Sequence, residues 1–334
     1  MTTLELLLSL LMTMMMTALF AWPLRVWLLA RGLVDHPGAR RSHELPTPRG
    51  GGLAVALAML VALILFGGLV AETFVVVAVV IATSALGWLD DTRGLAVRWR
   101  LLAQIVIGLL LIIWLGPVTA VSIGPFSLDW PLFWTFMALV AFVWLMNLHN
   151  FMDGSDGLLA MQGSWTGLAM GVLLHIHGVG LSGLVGFVMA GACLGFMFWN
   201  KPPARIFMGD SGSILLGGVI GLLALSGAAN GDVSIWVSLI ICSVFVVDAT
   251  ATLVQRALKG REWYTPHREH AYQRLISRGW GHGQALVVYG LINLVIVLPV
   301  LLLAIRFPGF ETLFALGLVG FLFVGWWSVQ ARQA

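Results

Sequence analysis

The sequence predicts an all-α protein of one domain, residues 1–334, built as a polytopic membrane bundle of about 10–11 transmembrane helices. Hydrophobic residues make up 60% of the chain and charged residues 10%, whereas soluble domains carry roughly 25% charged residues. The mean hydropathy is +0.97. A globular core cannot hide so many apolar side chains, and lipid must therefore solvate them.

About eleven apolar runs divide the chain, and most approach the roughly 20 residues that a helix needs to cross the hydrocarbon. They are Leu4–Ala30, Gly51–Val70, Phe74–Leu89, Leu101–Leu115, Leu132–Leu148, Gly157–His175, Leu181–Trp199, Ser213–Ala228, Ser234–Leu258, Ala285–Ile305 and Thr312–Val329. Between the fourth and fifth runs, the segment Pro117–Trp130 has Gly124-Pro125 at its centre, which predicts a small β-hairpin.

The positive charges predict the orientation of the bundle. If the chain starts outside, the loops 31–50, 90–100, 200–212 and 259–284 and the C-terminal end face the cytoplasm, and the hairpin faces the periplasm. Seventeen of the 18 Lys and Arg residues then lie inside, leaving Arg306, so the positive-inside rule is satisfied. We expect a multi-pass protein of the bacterial inner membrane, with its polar chemistry facing the cytoplasm.

The same distribution of charge excludes one class of partner. The basic residues are scattered between apolar runs, so we expect no nucleic-acid partner. Cys193 and Cys242 both fall inside apolar runs. They are predicted to be buried small side chains, with no disulfide or metal pair.

Asp90 and Asp91, at the end of the third run, form the first candidate site. Adjacent carboxylates at a membrane boundary repel each other and lose hydration, and a divalent cation or a substrate proton would relieve that cost. Mg²⁺ fits, because one or two carboxylates hold it while waters and phosphate oxygens complete its shell. The alternative is a solvated loop start with Arg93 as a local partner.

The second candidate site combines Asn147, Asn150, Asp153 and Asp156 between the fifth and sixth runs, and each aspartate precedes a glycine. Such Asp-Gly pairs set an acceptor beside a residue that is free to adopt positive φ. Asn and Asp together can match the polar edge of a uracil ring and the ribose hydroxyls. Helix capping by Asp156 is the alternative, but it leaves the other three residues unexplained.

The third candidate site is the segment 205–213, which contains Phe207, Asp210 and two glycines and opens the eighth run. Free backbone N–H groups and a positive helix end favour anions at this position, and Phe207 could stack on a base. Simple capping by Asp210 or Ser211 is the alternative. It would require neither the aromatic residue nor both glycines.

The fourth candidate site is His267, Arg268 and His270, which follow Tyr264-Thr265-Pro266 in the longest cytoplasmic loop. As charged donors they could grip phosphate or sugar oxygens. A basic surface helix on anionic lipid is the alternative.

Two smaller features accompany these motifs. The loop from Asp35 to Gly52 is basic and ends in glycines, as a phosphate-contacting loop would. Asp248 lies within the ninth run, where a carboxylate is a functional candidate by default, with hydrogen bonding to a neighbouring helix as the alternative.

Taken in order, these motifs resemble the polyprenyl-phosphate N-acetylhexosamine-1-phosphate transferase family, of the glycosyltransferase family 4 type. The resemblance spans about Asp35 to Gln284. It is carried by Asp90-Asp91, by Asn147-x-x-Asn150-x-x-Asp153-Gly154-x-Asp156-Gly157, by Phe207-Met208-Gly209-Asp210-x-Gly212-Ser213 and by His267–His270. It implies a UDP-N-acetyl amino sugar as donor, undecaprenyl phosphate as acceptor, UMP as leaving group, and Mg²⁺ with Mn²⁺ as a substitute. A homodimer stays open.

The resemblance also implies roles for the matching residues. Asp90, Asp91 and Asp210 would be catalytic, and Asp210 and Asp91 would bind the metal. Phe207 would stack on uracil, while Asn150 and Asp156 would contact the nucleoside. The remaining substrate-binding candidates are Asn147, Asp153, His267, Arg268 and His270.

The expected reaction is direct attack of the lipid phosphate on the β-phosphorus, with Asp90 taking the remaining proton. A covalent phosphosugar enzyme is the alternative. The rival function is a transporter or lipid flippase, which would need charged groups near the bilayer midplane, where Asp248 is the clear candidate.

Two departures from the family pattern refine the expectation. Gly94 stands where some members have a third acid. His-Arg-Glu-His replaces the consecutive histidines of the enzyme that makes peptidoglycan lipid I, and with Ala271-Tyr272-Gln273-Arg274 it is more similar to the branch that initiates O-antigen synthesis. We therefore expect a smaller donor than the muramyl-pentapeptide nucleotide.

Overall fold

The computed structural model describes residues 1–35, 46–262 and 267–331. The helices in these ranges are α1 (Thr3–Ala30), α2 (Gly52–Gly67), α3 (Ala71–Arg93), α4 (Val97–Leu115), α5 (Pro131–Phe151), α6 (Leu158–Ile176), α7 (Gly180–Asn200), α8 (Asp210–Asn230), α9 (Ile235–Leu258), α10 (Ala271–Ser277), α11 (His282–Leu291), α12 (Leu298–Arg306) and α13 (Glu311–Ala331). The strands are β1 (Val34–Asp35), β2 (Thr47–Pro48), β3 (Ala120–Ile123) and β4 (Phe126–Asp129).

The predicted all-α membrane bundle is confirmed. Within the described ranges, nine helical spans are long and apolar enough to cross a membrane, and α2 is an apolar helix of 16 residues. A π-helical stretch, Ile292–Val297, joins α11 to α12, so that His282–Arg306 forms one of the nine spans. The predicted hairpin is also present, because β3 and β4 pair antiparallel around Gly124.

Several helices extend beyond their predicted apolar runs, and two of these extensions, on α3 and α8, carry predicted catalytic aspartates. The third run ends at Leu89, but α3 continues to Arg93, so Asp90 and Asp91 lie in its last turn and not in a loop. The eighth run begins at Ser213, but α8 already begins at Asp210. Apolar runs mark the hydrocarbon alone, whereas backbone hydrogen bonding carries a helix on into the polar interface.

Close packing through glycine fixes α7 and α8 at the centre of the bundle. On α7, a Cβ atom at Gly191 would lie 2.2 Å from the Leu10 carbonyl oxygen of α1. On α8, a Cβ atom at Gly217 would lie 2.5 Å from the Leu145 carbonyl oxygen of α5. Small residues let helix backbones touch in this way. As a result, α8 packs directly against both α3 and α5.

This packing gathers the ends of several helices on one side of the bundle, which we call the site face. The C-terminal ends of α3, α5 and α7 lie there together with the N-terminal ends of α6 and α8. Hydrogen bonds join them: Asp91 on α3 accepts from the start of α8, and Gly157 before α6 donates to Asn200 at the end of α7.

Candidate active site

The site is built around the first turn of α8. The Asp91 carboxylate of α3 accepts the backbone N–H of Asp210 at 3.0 Å and that of Ser211 at 2.9 Å. A carboxylate stabilises a helix N-terminus, where unpaired N–H groups carry partial positive charge. The cap of α8 therefore comes from another helix, and Gly209, at the N-cap position, supplies none.

Arg49 joins the two aspartates of this turn. Its Nε lies 2.8 Å from Asp91 Oδ1, and its Nη2 lies 2.5 Å from Asp210 Oδ1. Burial acts to lower the pKa of Arg49, but the carboxylates of Asp210 and Asp91 outweigh it and raise that pKa above its ordinary value. The guanidinium, which is always charged in proteins, therefore bridges α3 and α8.

Backbone hydrogen bonds explain why Arg49 occupies this position. Phe207 N–H donates to the Pro48 carbonyl at 2.8 Å, and Gly51 N–H donates to the Phe207 carbonyl at 2.8 Å. A Cβ atom at Gly52 would lie 2.1 Å from the Gly212 nitrogen, so glycine is required for this approach. The end of the basic loop is thus fastened to the third motif, whereas its residues 36–45 lie outside the described part of the chain.

The second motif meets the same turn from α5. Asn150 Nδ2 donates to Asp210 Oδ1 at 2.9 Å and to Ser213 Oγ at 3.0 Å. Asp153 lies nearby and is partly buried; loss of hydration raises the pKa of its carboxyl group well above the ordinary value, and Arg49 opposes that rise. The structure therefore brings residues of the second and third motifs into one cluster.

Asp90 and Asp156 stand at the edges of this cluster. Asp90 accepts Arg100 Nη1 at 2.6 Å and Leu95 N–H at 2.8 Å, and its carboxyl group also interacts with that of Asp210. Asp156 Oδ2 accepts Ala204 N–H at 2.9 Å. Because Asp156 does not bond to the first turn of α6, its predicted alternative role as that helix's cap is wrong.

A cavity of about 520 Å³ opens beside these residues on the site face. Its wall includes six of the eleven predicted site residues. The polar and aromatic members of the wall are Asp35, Arg49, Asn150, Asp153, Ser155, Asp156, Asn200, Phe207, Asp210, Arg268, Gln273 and Ser277. Residues of three of the four motifs therefore line this one cavity. The remaining motif, Asp90-Asp91, contacts the start of α8 through the hydrogen bonds that Asp91 accepts.

Three predicted binding residues occupy other positions. Asn147 donates to Gln104 Oε1 of α4 at 2.7 Å and is not part of the cavity wall. His270 is 2% exposed, and its Nδ1 lies 3.7 Å from the Asp248 carboxylate. His267 is partly buried, and burial, with the neighbouring His270 and Arg256, lowers its pKa to about 4. At neutral pH it is an uncharged donor and not the predicted cation, while Tyr264–Pro266 lie outside the described residues.

Arg49, Gln273 and Ser277 line the cavity but are not among the site residues that the sequence predicts. Arg49 was part of the basic loop, and its place directly before three glycines was the signal that could have singled it out. Gln273 and Ser277 lie on α10; Gln273 belongs to the Ala271–Arg274 pattern, which indicated only the branch of the family, and no motif includes Ser277. Their place in the cavity wall follows from the docking of that helix.

The wall residues fit the oxygen-rich environment that Mg²⁺ prefers. Four carboxyl groups, those of Asp35, Asp153, Asp156 and Asp210, share the wall with two guanidinium groups, those of Arg49 and Arg268. Among these described side chains the carboxyl groups outnumber the guanidinium groups, so an anionic ligand would be repelled. A bound divalent cation would supply the missing positive charge. In the parts of the chain that the structure describes, no three His, Cys, Asp or Glu side chains form a ready-made metal cluster, and Mg²⁺ requires only one or two carboxylates.

Comparison with known proteins identifies the family of this chain. The model of the family described as glycosyl transferase family 4 matches residues 73–228. A phospho-N-acetylmuramoyl-pentapeptide-transferase from Picosynechococcus is 34% identical over 75% of this chain and 73% of its own length. A decaprenyl-phosphate N-acetylglucosaminephosphotransferase from Mycolicibacterium smegmatis is 35% identical over 79% of this chain and 73% of its own length.

A third relative, a probable undecaprenyl-phosphate N-acetylglucosaminyl 1-phosphate transferase from Bacillus subtilis, is 31% identical over 81% of this chain and 77% of its own length. All three relatives are sugar-phosphate transferases by name, and the matches extend over most of each protein. The chain therefore belongs to glycosyl transferase family 4, as a multi-pass bacterial membrane transferase.

Proposed function

We propose that the protein transfers an N-acetylhexosamine-1-phosphate, or a related amino-sugar-1-phosphate, from a UDP-sugar to undecaprenyl phosphate. UMP leaves, and a polyprenyl-diphosphate-linked sugar forms. The observation that carries the proposal is the cavity on the site face of the membrane bundle. Acidic, amide and guanidinium groups, including residues of three motifs, line this cavity. The names of the relatives support the same class of reaction.

The nucleotide sugar is proposed to lie along the cavity wall. Phe207 offers a ring face for the uracil, and Asn150 and Asp156 offer amide and carboxylate groups for the nucleoside. Arg49 and Arg268 provide guanidinium donors for the diphosphate, since a guanidinium can contact two phosphate oxygens at once. A cavity of about 520 Å³ is within the usual range of small-molecule sites.

Mg²⁺, or Mn²⁺ in its place, is the proposed cofactor. Asp210 would hold it, with Asp91 as the second predicted ligand. Both oxygens of Asp91 already accept donors from α8, so Asp153, which lines the same cavity as Asp210, is an alternative second carboxylate. When bound, the cation would neutralise the diphosphate and stabilise the departing UMP.

Chemistry follows from bringing two anions together. An oxygen of the lipid phosphate would form a bond to the β-phosphorus of the UDP-sugar while the bond from that phosphorus to UMP breaks. Most of the work is then alignment and neutralisation of charge, as in other phosphoryl transfers. Asp90 is the proposed acceptor of any remaining proton; its ion pair with Arg100 keeps the carboxylate oriented at the end of α3.

The proposed setting is the cytoplasmic face of the bacterial inner membrane. Of the 18 Lys and Arg residues, 17 fall on the site-face side of the predicted topology, which satisfies the positive-inside rule. The product would then start a cell-envelope glycan, with O antigen as the proposed pathway. A homodimer remains a prediction.

The test is a transfer assay with the purified protein, Mg²⁺, undecaprenyl phosphate and a panel of radiolabelled UDP-N-acetyl sugars. We expect butanol-soluble label from UDP-N-acetylhexosamines, release of UMP in equal amount, and loss of both in EDTA. Vesicles that accumulate label in their lumen without forming a labelled lipid would instead support a transporter. Lipid labelling from UDP-N-acetylmuramoyl-pentapeptide alone would contradict the proposed donor.

A further inference from the structure

Asp248 is a buried carboxylate of α9 that the proposed chemistry does not use. It is 3% exposed. Its Oδ1 accepts the Ala271 N–H at 2.8 Å and the Thr252 hydroxyl at 3.3 Å, and its Oδ2 accepts the Tyr289 hydroxyl at 2.6 Å. A buried carboxylate is costly unless such donors satisfy it. Here the donors come from three helices, so the carboxylate ties α9, α10 and α11 together.

The element that Asp248 holds forms one wall of the cavity. Ala271 is the first residue of α10, and the side chains of Gln273, Ile276 and Ser277 on this helix line the cavity, as does Arg268 just before it. A helix of seven residues is too short to be stable without tertiary contacts. The position of this wall therefore depends on the groups that anchor α10.

The anchoring also extends to the predicted histidines. His270 Nδ1 lies 3.7 Å from Asp248 Oδ1, and the His270 ring stacks on Tyr272 with an interplanar angle of 9°. His267 lies beside His270, with ring centroids 4.9 Å apart. Buried contacts thus connect the carboxylate inside the bundle to the loop residue that was predicted to bind substrate.

We propose that Asp248 is a positioning residue for donor binding: it fixes α10 so that Arg268, Gln273 and Ser277 face the nucleotide sugar. This inference rests on the proposed function for its kinetic consequence. Its structural consequence, the ordering of α10 against the cavity, does not depend on any reaction. The two consequences can be measured separately.

The ordering of α10 can be tested by alkylation. Ile276→Cys places a thiol on the cavity side of α10, and the native Cys193 and Cys242 are buried and give a low background. Adding Asp248→Ala should speed maleimide modification of the introduced thiol about tenfold, the factor that corresponds to one lost hydrogen bond to a charged group. Asp248→Asn keeps acceptor and shape and should give a smaller increase.

The kinetic arm uses the same Asp248 variants without the added cysteine. Asp248→Ala should raise the KM for the UDP-sugar about tenfold, because α10 loses the carboxylate that anchors it. The kcat per folded enzyme should change less, because the proposed catalytic carboxylates stay in place. Asp248→Asn should recover most of the affinity. Ser243→Ala, which removes another buried hydroxyl of α9, is the matched control and should change neither quantity.

Several results would overturn the inference. An unchanged alkylation rate in Asp248→Ala, or a fall in the yield of active protein with KM unchanged, would show that Asp248 serves stability alone. If Asp248→Ala does not fold, Tyr289→Phe removes one donor to the carboxylate and should still raise KM in the same direction; no rise would count against the proposal. A wild-type protein that transfers no sugar would refute the proposed function and leave the alkylation result valid.

Discussion

Asp210 accepts hydrogen bonds from both Arg49 and Asn150 on its Oδ1 atom. Asp210→Asn keeps an acceptor at that position but removes the charge that the proposed Mg²⁺ needs. We expect Mg²⁺-dependent UMP release to fall roughly 10²-fold or more, by analogy with the loss of one electrostatic stabiliser. Asp129→Asn, on the exposed hairpin strand β4, is the control. Release at the wild-type rate would refute the metal assignment.

Arg49 lends itself to a second test at the level of single residues. Arg49→Lys keeps the charge, but an ammonium group cannot engage two carboxylates in a planar fork. We expect kcat/KM to fall roughly tenfold for Lys and further for Gln, because a charge-assisted contact is lost in each case. The thermal midpoint, measured alongside, separates this effect from unfolding. If Arg49→Gln keeps the wild-type kcat/KM, Arg49 has a structural role and does not contribute to substrate binding or catalysis.

His267 gives a prediction about pH. Its pKa is lowered to about 4, so the ring has already lost its proton well below neutral pH. Between pH 6 and 8 the transfer rate of the wild type and that of His267→Gln should therefore depend on pH in the same way. The substitution replaces a neutral imidazole donor with a neutral amide donor. A titration near pH 6.5 in the wild type that disappears in His267→Gln would show that the imidazole ionises in the working range.

At the scale of elements, the segment that carries Arg49 packs on the start of α8 through backbone contacts. Gly52→Ala would place a Cβ atom 2.1 Å from the Gly212 nitrogen and must push the two segments apart. We expect a lower thermal midpoint and a large loss of transfer activity, since Arg49 and Asp210 would no longer align. Gly317→Ala on α13, where a Cβ meets nothing within 4 Å, is the matched control and should be neutral or slightly stabilising.

The helices also show which features the hydropathy pattern predicts correctly. The apolar runs predicted the spans because each must be solvated by lipid along its whole length. They placed Asp90 and Asp210 in loops, whereas both lie on helices. The boundary of an apolar run reports the edge of the hydrocarbon, and a helix ends only where its backbone loses its partners.

At the scale of the molecule, the site requires distant parts of the chain to share one face. Single cysteines at Arg93, Arg205 and Arg268 should react with a membrane-impermeant maleimide from the cytoplasmic side, and one at Asp129 should react from the opposite side. All four residues are exposed in the structure. Labelling of Arg93 and Arg268 positions from opposite sides would rule out a shared cavity and with it the transferase proposal.

The sequence by itself determined the membrane fold, the approximate spans and the four motifs, because hydrophobic length and local residue patterns are properties of contiguous chain. It also determined membership of the family. It could not determine that Arg49 bridges Asp91 and Asp210, or that His270 turns inward to Asp248.

Those contacts join residues far apart in the chain, and only the packing of α8 between α3 and α5, and of α10 on α9, decides them. The physical reason is that a buried charge takes whichever partner the surrounding helices bring within reach.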